Sequence, residues 1–210
     1  TNIAEIKSRF TEGWQIFIST LFVNIYTNSN LVLLRFFTTD YIVGIFGGAS
    51  KLIDAIKGLA WPLCQAIYPF ICQKYEENRI QFYIFTRKLL EVSTCVGLII
   101  MLNMEFLGQW VVSFLYGPDY QNTVSILQIL SVIPAFVFYS IFAGAVLLAA
   151  NAQNEYSKIL MIGSGLDIVM ALIMIPLLGA NGLAFTMCLV EAFVALKMYI
   201  EIRARKRLRI

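Results

Sequence analysis

The 210-residue chain is 59% hydrophobic and 14% charged, with a mean hydropathy of +0.75. Soluble domains run nearer ~45–50% apolar and ~25% charged, so an ordinary soluble fold and a disordered chain are both excluded. The net charge of +3 gives no argument for nucleic acid, and the lack of any histidine removes histidine-based metal sites and His-assisted nucleophiles.

A helical span needs ~20 residues, which leaves room for about six. The chain starts at Thr1 with the polar run Thr1–Glu12; this is no signal peptide and reads as the start of a fragment. Residues 13–35 form the first expected span, uncharged until Arg35 closes it. Residues 41–72 form the second, with Lys51, Asp54 and Lys57 in its first half and Pro62 and Pro69 beyond, so a kinked or over-long helix is expected. Residues 73–88 read as a polar connector lying on the membrane surface. The third span is 89–108, followed by the interfacial aromatics Trp110, Phe114, Tyr116 and Tyr120 and a Gly117-Pro118-Asp119 turn. Residues 124–150 form the fourth span, with Pro134 as its expected kink. A polar turn over 151–158, a fifth span over 159–178, a tight turn at 179–182 and a sixth span over 183–200 complete the chain. The four cysteines (Cys64, Cys72, Cys95 and Cys188) have no CxxC spacing and read as small helical hydrophobes. No cofactor motif is present, neither GxGxxG nor GxxxxGK[ST]. One all-α membrane domain, not an enzyme, is the simplest description.

Positive charge marks the cytoplasmic side. Placing both termini and the second and fourth connectors together gathers 13 of the 16 basic residues, counting Lys197 as snorkelling to the interface. Both termini are therefore expected in the cytoplasm. The basic run Arg203–Arg209 reads as a stop signal at that face, and also fits anionic lipid.

Polar residues inside spans mark bundle interiors or watery cavities. Thr20, Asn24, Asn28 and Arg35 share one helical stripe. It suits a hydrated lumen, or hydrogen bonds between helices. Lys51, Asp54 and Lys57 are neighbours at steps of three, so Asp54 is expected to orient both lysines. With Arg35 they leave surplus positive charge for an anionic ligand. The alternative is a self-neutralising structural group. Gly44, Gly47 and Gly48 permit close packing or local opening. Asp167 and Glu191 stand as isolated carboxylates; Asp167, between Gly163, Gly165 and the rest of its span, is a candidate for proton or Na⁺ coupling, or a hydrogen-bonded structural acid.

The run Val43-Gly44-Ile45-Phe46-Gly47-Gly48-Ala49-Ser50-Lys51-Leu52 resembles the opening of the eighth helix of polysaccharide-biosynthesis flippases, with Phe46 for the usual Tyr. Leu115-Tyr116-Gly117-Pro118-Asp119-Tyr120, with Ile126-Leu127-Gln128-Ile129-Leu130 after it, is similar to their segment before the tenth helix. Asn151 after Leu147-Leu148-Ala149-Ala150, and Pro176 through Ala184, resemble the turns that follow. The resemblance implies the C-terminal six-helix bundle of a two-bundle O-antigen or capsule repeat-unit flippase, in the superfamily of multidrug and oligosaccharidyl-lipid exporters. It further implies a bacterial inner-membrane protein that moves undecaprenyl-pyrophosphate-linked oligosaccharide. Its partners would be that lipid, membrane lipids, an N-terminal six-helix half and polysaccharide assembly proteins, with no nucleic acid. On that reading Arg35, Lys51 and Lys57 meet the pyrophosphate, Asn24 and Asn28 meet glycan or water, and Asp54 orients the lysines. A multidrug or cation antiporter of the same superfamily needs an acidic cavity instead. A non-transporting scaffold would use the polar stripe as a protein–protein face.

Overall fold

The structure is a computed structural model that describes residues 14, 17, 21, 24, 29–117 and 120–208. The described residues form α1 (29–37), α2 (Asp40–Glu77), α3 (Arg79–Tyr116), α4 (Gln121–Leu130), α5 (Ile133–Ala149) and α6 (Gln153–Leu208), with no strand among them. The all-α expectation holds. The polar connector over 73–88 is instead the meeting point of two 38-residue helices. A single residue, Asn78, joins them. Its extended backbone ends α2, and its Oδ1 accepts from the Ile80 and Gln81 amides at 2.8 and 3.3 Å, capping α3. The Arg79 guanidinium stacks on the Tyr75 ring across the corner, 3.4 Å from its centroid. At 1.5 Å per residue each helix is about 57 Å long, well beyond the ~30 Å of a hydrocarbon core. Pro62 and Pro69 lie inside α2, which runs on through both.

Gly117 ends α3 with φ +86°, where only glycine is unstrained; Pro118 and Asp119 lie outside the described residues. Pro134 sits in the first turn of α5, and α4 meets α5 at 42° across Ser131 and Val132. The kink is thus a break with proline starting the second piece. The turn expected over 151–158 is shorter, because α6 begins at Gln153. Within α6, Gly179 has φ +59° and ψ −135°, which no helix accommodates. A Cβ on Gly163 would press on Val194 and Val190, and Arg205 bridges back to Glu155 at 2.9 Å. The two arms, 153–178 and 180–208, therefore fold back as an antiparallel hairpin.

By length and composition α3 and the stretch Gln153–Arg205 can each cross a membrane, and the bent α4–α5 pair is a third candidate. The charged α2 is not among them. Straight, Gln153–Arg205 would reach about 80 Å; the Gly179 fold-back makes it two arms. Large apolar side chains cover the outside, among them Phe36, Phe106, Trp110 and Phe114, as lipid contact requires.

The glycines that pack are not the ones expected. A Cβ on Gly44 would meet nothing within 4 Å, and on Gly47 or Gly48 only ordinary contacts. On Gly97 it would lie 2.6 Å from the Pro134 carbonyl, and on Gly144 2.7 Å from the Tyr156 ring. On Gly182 it would collide with the Met174 carbonyl. These glycines bring α3 against α5, α5 against α6, and one hairpin arm against the other.

Two apolar clusters fill the bundle. One, around Phe46, Ile53, Leu127, Leu130, Ile175 and Leu183, gathers near the Gly179 turn. The other, around Ile71, Phe82, Phe142, Val146, Val194 and Met198, gathers near the Asn78 corner. Tyrosine hydroxyls pin both ends: Tyr116 donates to the Gly48 carbonyl, Tyr75 to that of Ala150 and Tyr83 to that of Arg205, at 3.2–3.3 Å.

Candidate functional site

Between the two apolar clusters lies a polar layer. Along α2 it falls after Ile53 and before Cys64, at Asp54 and Lys57. Along the first hairpin arm it falls between Ile159 and Ala171, at Asp167. Along the second it falls at Glu191, beside Val190. Lys57 Nζ lies 3.5 Å from Glu191 Oε1 and 3.9 Å from Asp54 Oδ1, so it ties α2 to the hairpin. Lys57 and Glu191 are largely buried, whereas Asp54 is half-exposed.

Asp167 is fully buried, and neither carboxylate oxygen has a hydrogen-bond partner among the described residues. Asn30 of α1, also buried, faces it as a polar neighbour, outside good hydrogen-bond geometry. The polar groups that act on Asp167 are Asn30, Glu191 and Lys57. The hydroxyls of Ser164 and Thr186 are already committed, donating to the Leu160 and Gly182 carbonyls. An unpartnered carboxylate at this depth costs several kcal/mol unless a proton or a cation neutralises it.

Lys57, Asp54 and Asp167 thus come together, while the other predicted residues stand apart. Lys51 is exposed and forms no ion pair among the described residues. Of the two lysines expected to be oriented by Asp54, only Lys57 is in reach. Arg35 is exposed and held by Asp40 at 2.8 Å, with a longer contact of 3.5 Å to the Thr38 carbonyl. Its charge is locally answered, so the expected surplus of cations reduces to Lys51. Asn24 is exposed; Asn28 and Thr20 lie outside the described residues. Asp167 and Glu191 are not isolated: they sit level on the hairpin and share Lys57 as a neighbour.

Sequence reasoning missed Asn30 and the part played by Glu191. The signal for Glu191 was present: positions 167 and 191 lie equally far from Gly179, so folding at that glycine sets them side by side. Asn30 carries no such signal; its burial comes with the packing of Leu34, one turn on, into the cluster near the Gly179 turn.

The surface of α2 divides three ways. Phe46, Ile53, Ala60, Cys64 and Ile71 form the buried stripe. At about 100° per residue, exposed Leu59, Leu63 and Phe70 fall about 100° to one side. Exposed Lys51, Asp54, Gly58 and Gln65 fall about 130° to the other. One exposed face is therefore apolar; the other carries the polar residues, with exposed Trp61 and Pro69 among them. All four cysteines are free.

A family profile described as polysaccharide biosynthesis protein matches residues 1–75. A protein of Escherichia coli (strain K12) named as an O-antigen transporter is 29% identical over 99% of this chain and 50% of its own length. The capsular polysaccharide biosynthesis protein CapF of Staphylococcus aureus is 28% identical over 94% of this chain and 50% of its own. The chain thus spans about half the length of the curated relatives it matches. Among solved structures, the lipid II flippase MurJ in an inward closed conformation aligns with a TM-score of 0.77 at 16% identity, over 89% of this chain and 41% of its own. An outward-facing multidrug resistance MATE family transporter of the MOP superfamily aligns at 0.76 and 15% identity, over 91% and 44%. By sequence the chain is similar to polysaccharide biosynthesis proteins, in line with its motifs, and by fold it is similar to about two fifths of these transporter structures.

Proposed function

We propose that the chain is the C-terminal six-helix bundle of a flippase that carries lipid-linked oligosaccharide across the bacterial inner membrane, with both termini cytoplasmic. The names of its relatives support the cargo class, and the charge distribution supports the orientation. The observation that carries the reading is the polar exposed face of α2. With α2 packed in the membrane beside α3, α4 and α5, a lysine and an aspartate on its outside are costly against hydrocarbon. They fit a wall of a water-filled cavity, closed on its far side by a partner bundle. Leu59, Leu63 and Phe70 then meet lipid.

On this wall Lys51 attracts the pyrophosphate, Arg35 at the outer end joins by exchanging Asp40 for the cargo, and Asn24 and Asn28 serve glycan or water. Lys57, Asp54 and Glu191 fix the wall to the hairpin. Asp167 with Asn30 is the coupling site, where a proton or Na⁺ neutralises the buried carboxylate. This buried carboxylate gives a cation a role in energising transport; the cargo face remains the one with Lys51.

Thiol accessibility tests the reading. In a background with Cys95 replaced, Gly58→Cys and Gln65→Cys should react with a membrane-impermeant thiol reagent, and Leu59→Cys and Leu63→Cys should not. Equal protection of all four would leave the polar face dry, as in a scaffold, and end the flippase reading.

A further inference from the structure

A cavity lies away from the polar layer, between α3, α5 and the second arm of α6. It encloses about 640 Å³. Its lining runs from Tyr83 to Cys95 along α3, about 18 Å at 1.5 Å per residue. The two ends differ. Tyr83 donates to the Arg205 carbonyl, which sets Arg87 and Arg203 at the same level, near the Asn78 corner. One acid, Glu91, lies a turn further along α3, beside Leu90, and holds Arg87 at 2.7 Å, so the two arginines leave one positive charge over. Arg203 is exposed and, among the described residues, donates only to the Tyr199 hydroxyl at 3.2 Å. Towards the other end come Leu90, Thr94 and Cys95, with Tyr139, whose buried hydroxyl has no partner among the described residues. Half-exposed Ile84 and Leu98 on α3, and Leu196 and Ile200 on α6, border the lining stripes.

A slot with a cationic mouth at a helix-end level and a narrow, mostly apolar length bordered by lipid-facing side chains suits a charged head on a hydrocarbon tail. A free aqueous anion would have no use for the apolar length. We propose that this cavity holds one anionic phospholipid of the surrounding leaflet. Its phosphate lies against Arg87 and Arg203, and one acyl chain runs along Leu90, Thr94 and Cys95. The inference needs only that α3 spans the membrane, and stands or falls independently of the transport reading.

The test uses the full chain in phosphatidylcholine nanodiscs doped with phosphatidylglycerol bearing a photoactivatable acyl chain. Adducts should map to residues 90–95 and 199–203. The double variant Arg87→Gln, Arg203→Gln should lower labelling at least about tenfold, since each basic side chain near a membrane surface adds ~1 kcal/mol for an anionic lipid. Lys88→Gln, which removes a neighbouring charge outside the cavity, should leave labelling unchanged. Thr94→Phe, which fills the slot and keeps both arginines, should also abolish it, so the result does not rest on the double variant alone. Equal labelling in the double variant, or by the phosphatidylcholine analogue, overturns the proposal. So does loss of labelling to micromolar farnesyl pyrophosphate but not to excess phosphatidylglycerol, which would give the slot to a prenyl pyrophosphate.

Discussion

Asp167 and Glu191 stand level on the two arms of one hairpin, in one polar layer, and meet opposite surroundings. Glu191 has Lys57 within 3.5 Å. Asp167 has no cation within ion-pair distance among the described residues, and only the neutral Asn30 amide faces it, outside good hydrogen-bond geometry. A paired carboxylate joins helices. An unpaired one destabilises its surroundings until a positive species arrives, which makes it able to sense one. The comparison separates a fastening from a receptor within one polar layer.

The sharpest way to break that contrast is Asp167→Asn. It should cut transport about tenfold or more, a typical size for loss of ligand coupling, measured as surface polysaccharide in cells expressing the full-length protein. Thermal stability should hold or rise, because a buried charge without a partner is removed. A fall in stability with normal polysaccharide would make Asp167 structural. Lys57→Ala should do the reverse, costing ~1–3 kcal/mol by leaving Glu191 unpaired. The double change Lys57→Met, Glu191→Leu should restore most of the thermal midpoint, and failure to do so would show Lys57 serving more than Glu191. Gly97→Ala tests the frame that holds both acids. Its methyl group would meet backbone at 2.6 Å, so a loss of ~1–3 kcal/mol in thermal unfolding is expected. Gly58→Ala, with nothing within 4 Å, should be neutral or slightly stabilising by the helix propensity of alanine. The smallest effect belongs to Arg35→Ala. The exposed pair with Asp40 is worth ~0–1 kcal/mol, so protein level should hold while surface polysaccharide falls. Unchanged polysaccharide at equal expression would remove Arg35 from the cargo site.

Much of the fold was legible because it rests on local chemistry. Gly117 and Gly179 both take positive φ where the sequence calls for turns, and Pro134 marks the α4–α5 break. The surface connector over 73–88 was misread because its charges mimic a loop, whereas they lie on helix ends that reach past the hydrocarbon. The close-packing glycines were misassigned because a Gly-rich run advertises contact, while real contact depends on what the neighbouring helix presents. At the site, spacing found Lys57 beside Asp54, and Lys57 then reached across to Glu191. Pairings made through tertiary folding leave only an indirect trace, such as the equal distance of Asp167 and Glu191 from Gly179. Arg35 illustrates the converse: a cation that looks available in the sequence is answered by Asp40, just beyond the helix end.

The contacts at Gly97, Gly144 and Gly182 reach further than packing. Main chain lies against main chain or ring at these points, and no flexible side chain is interposed to absorb sliding. In the proposed flippase, shear between these helices is thereby forbidden. The half must swing as one stiff lever against its counterpart, with any bending left to the single-residue joint at Asn78 and the break at Ser131 and Val132.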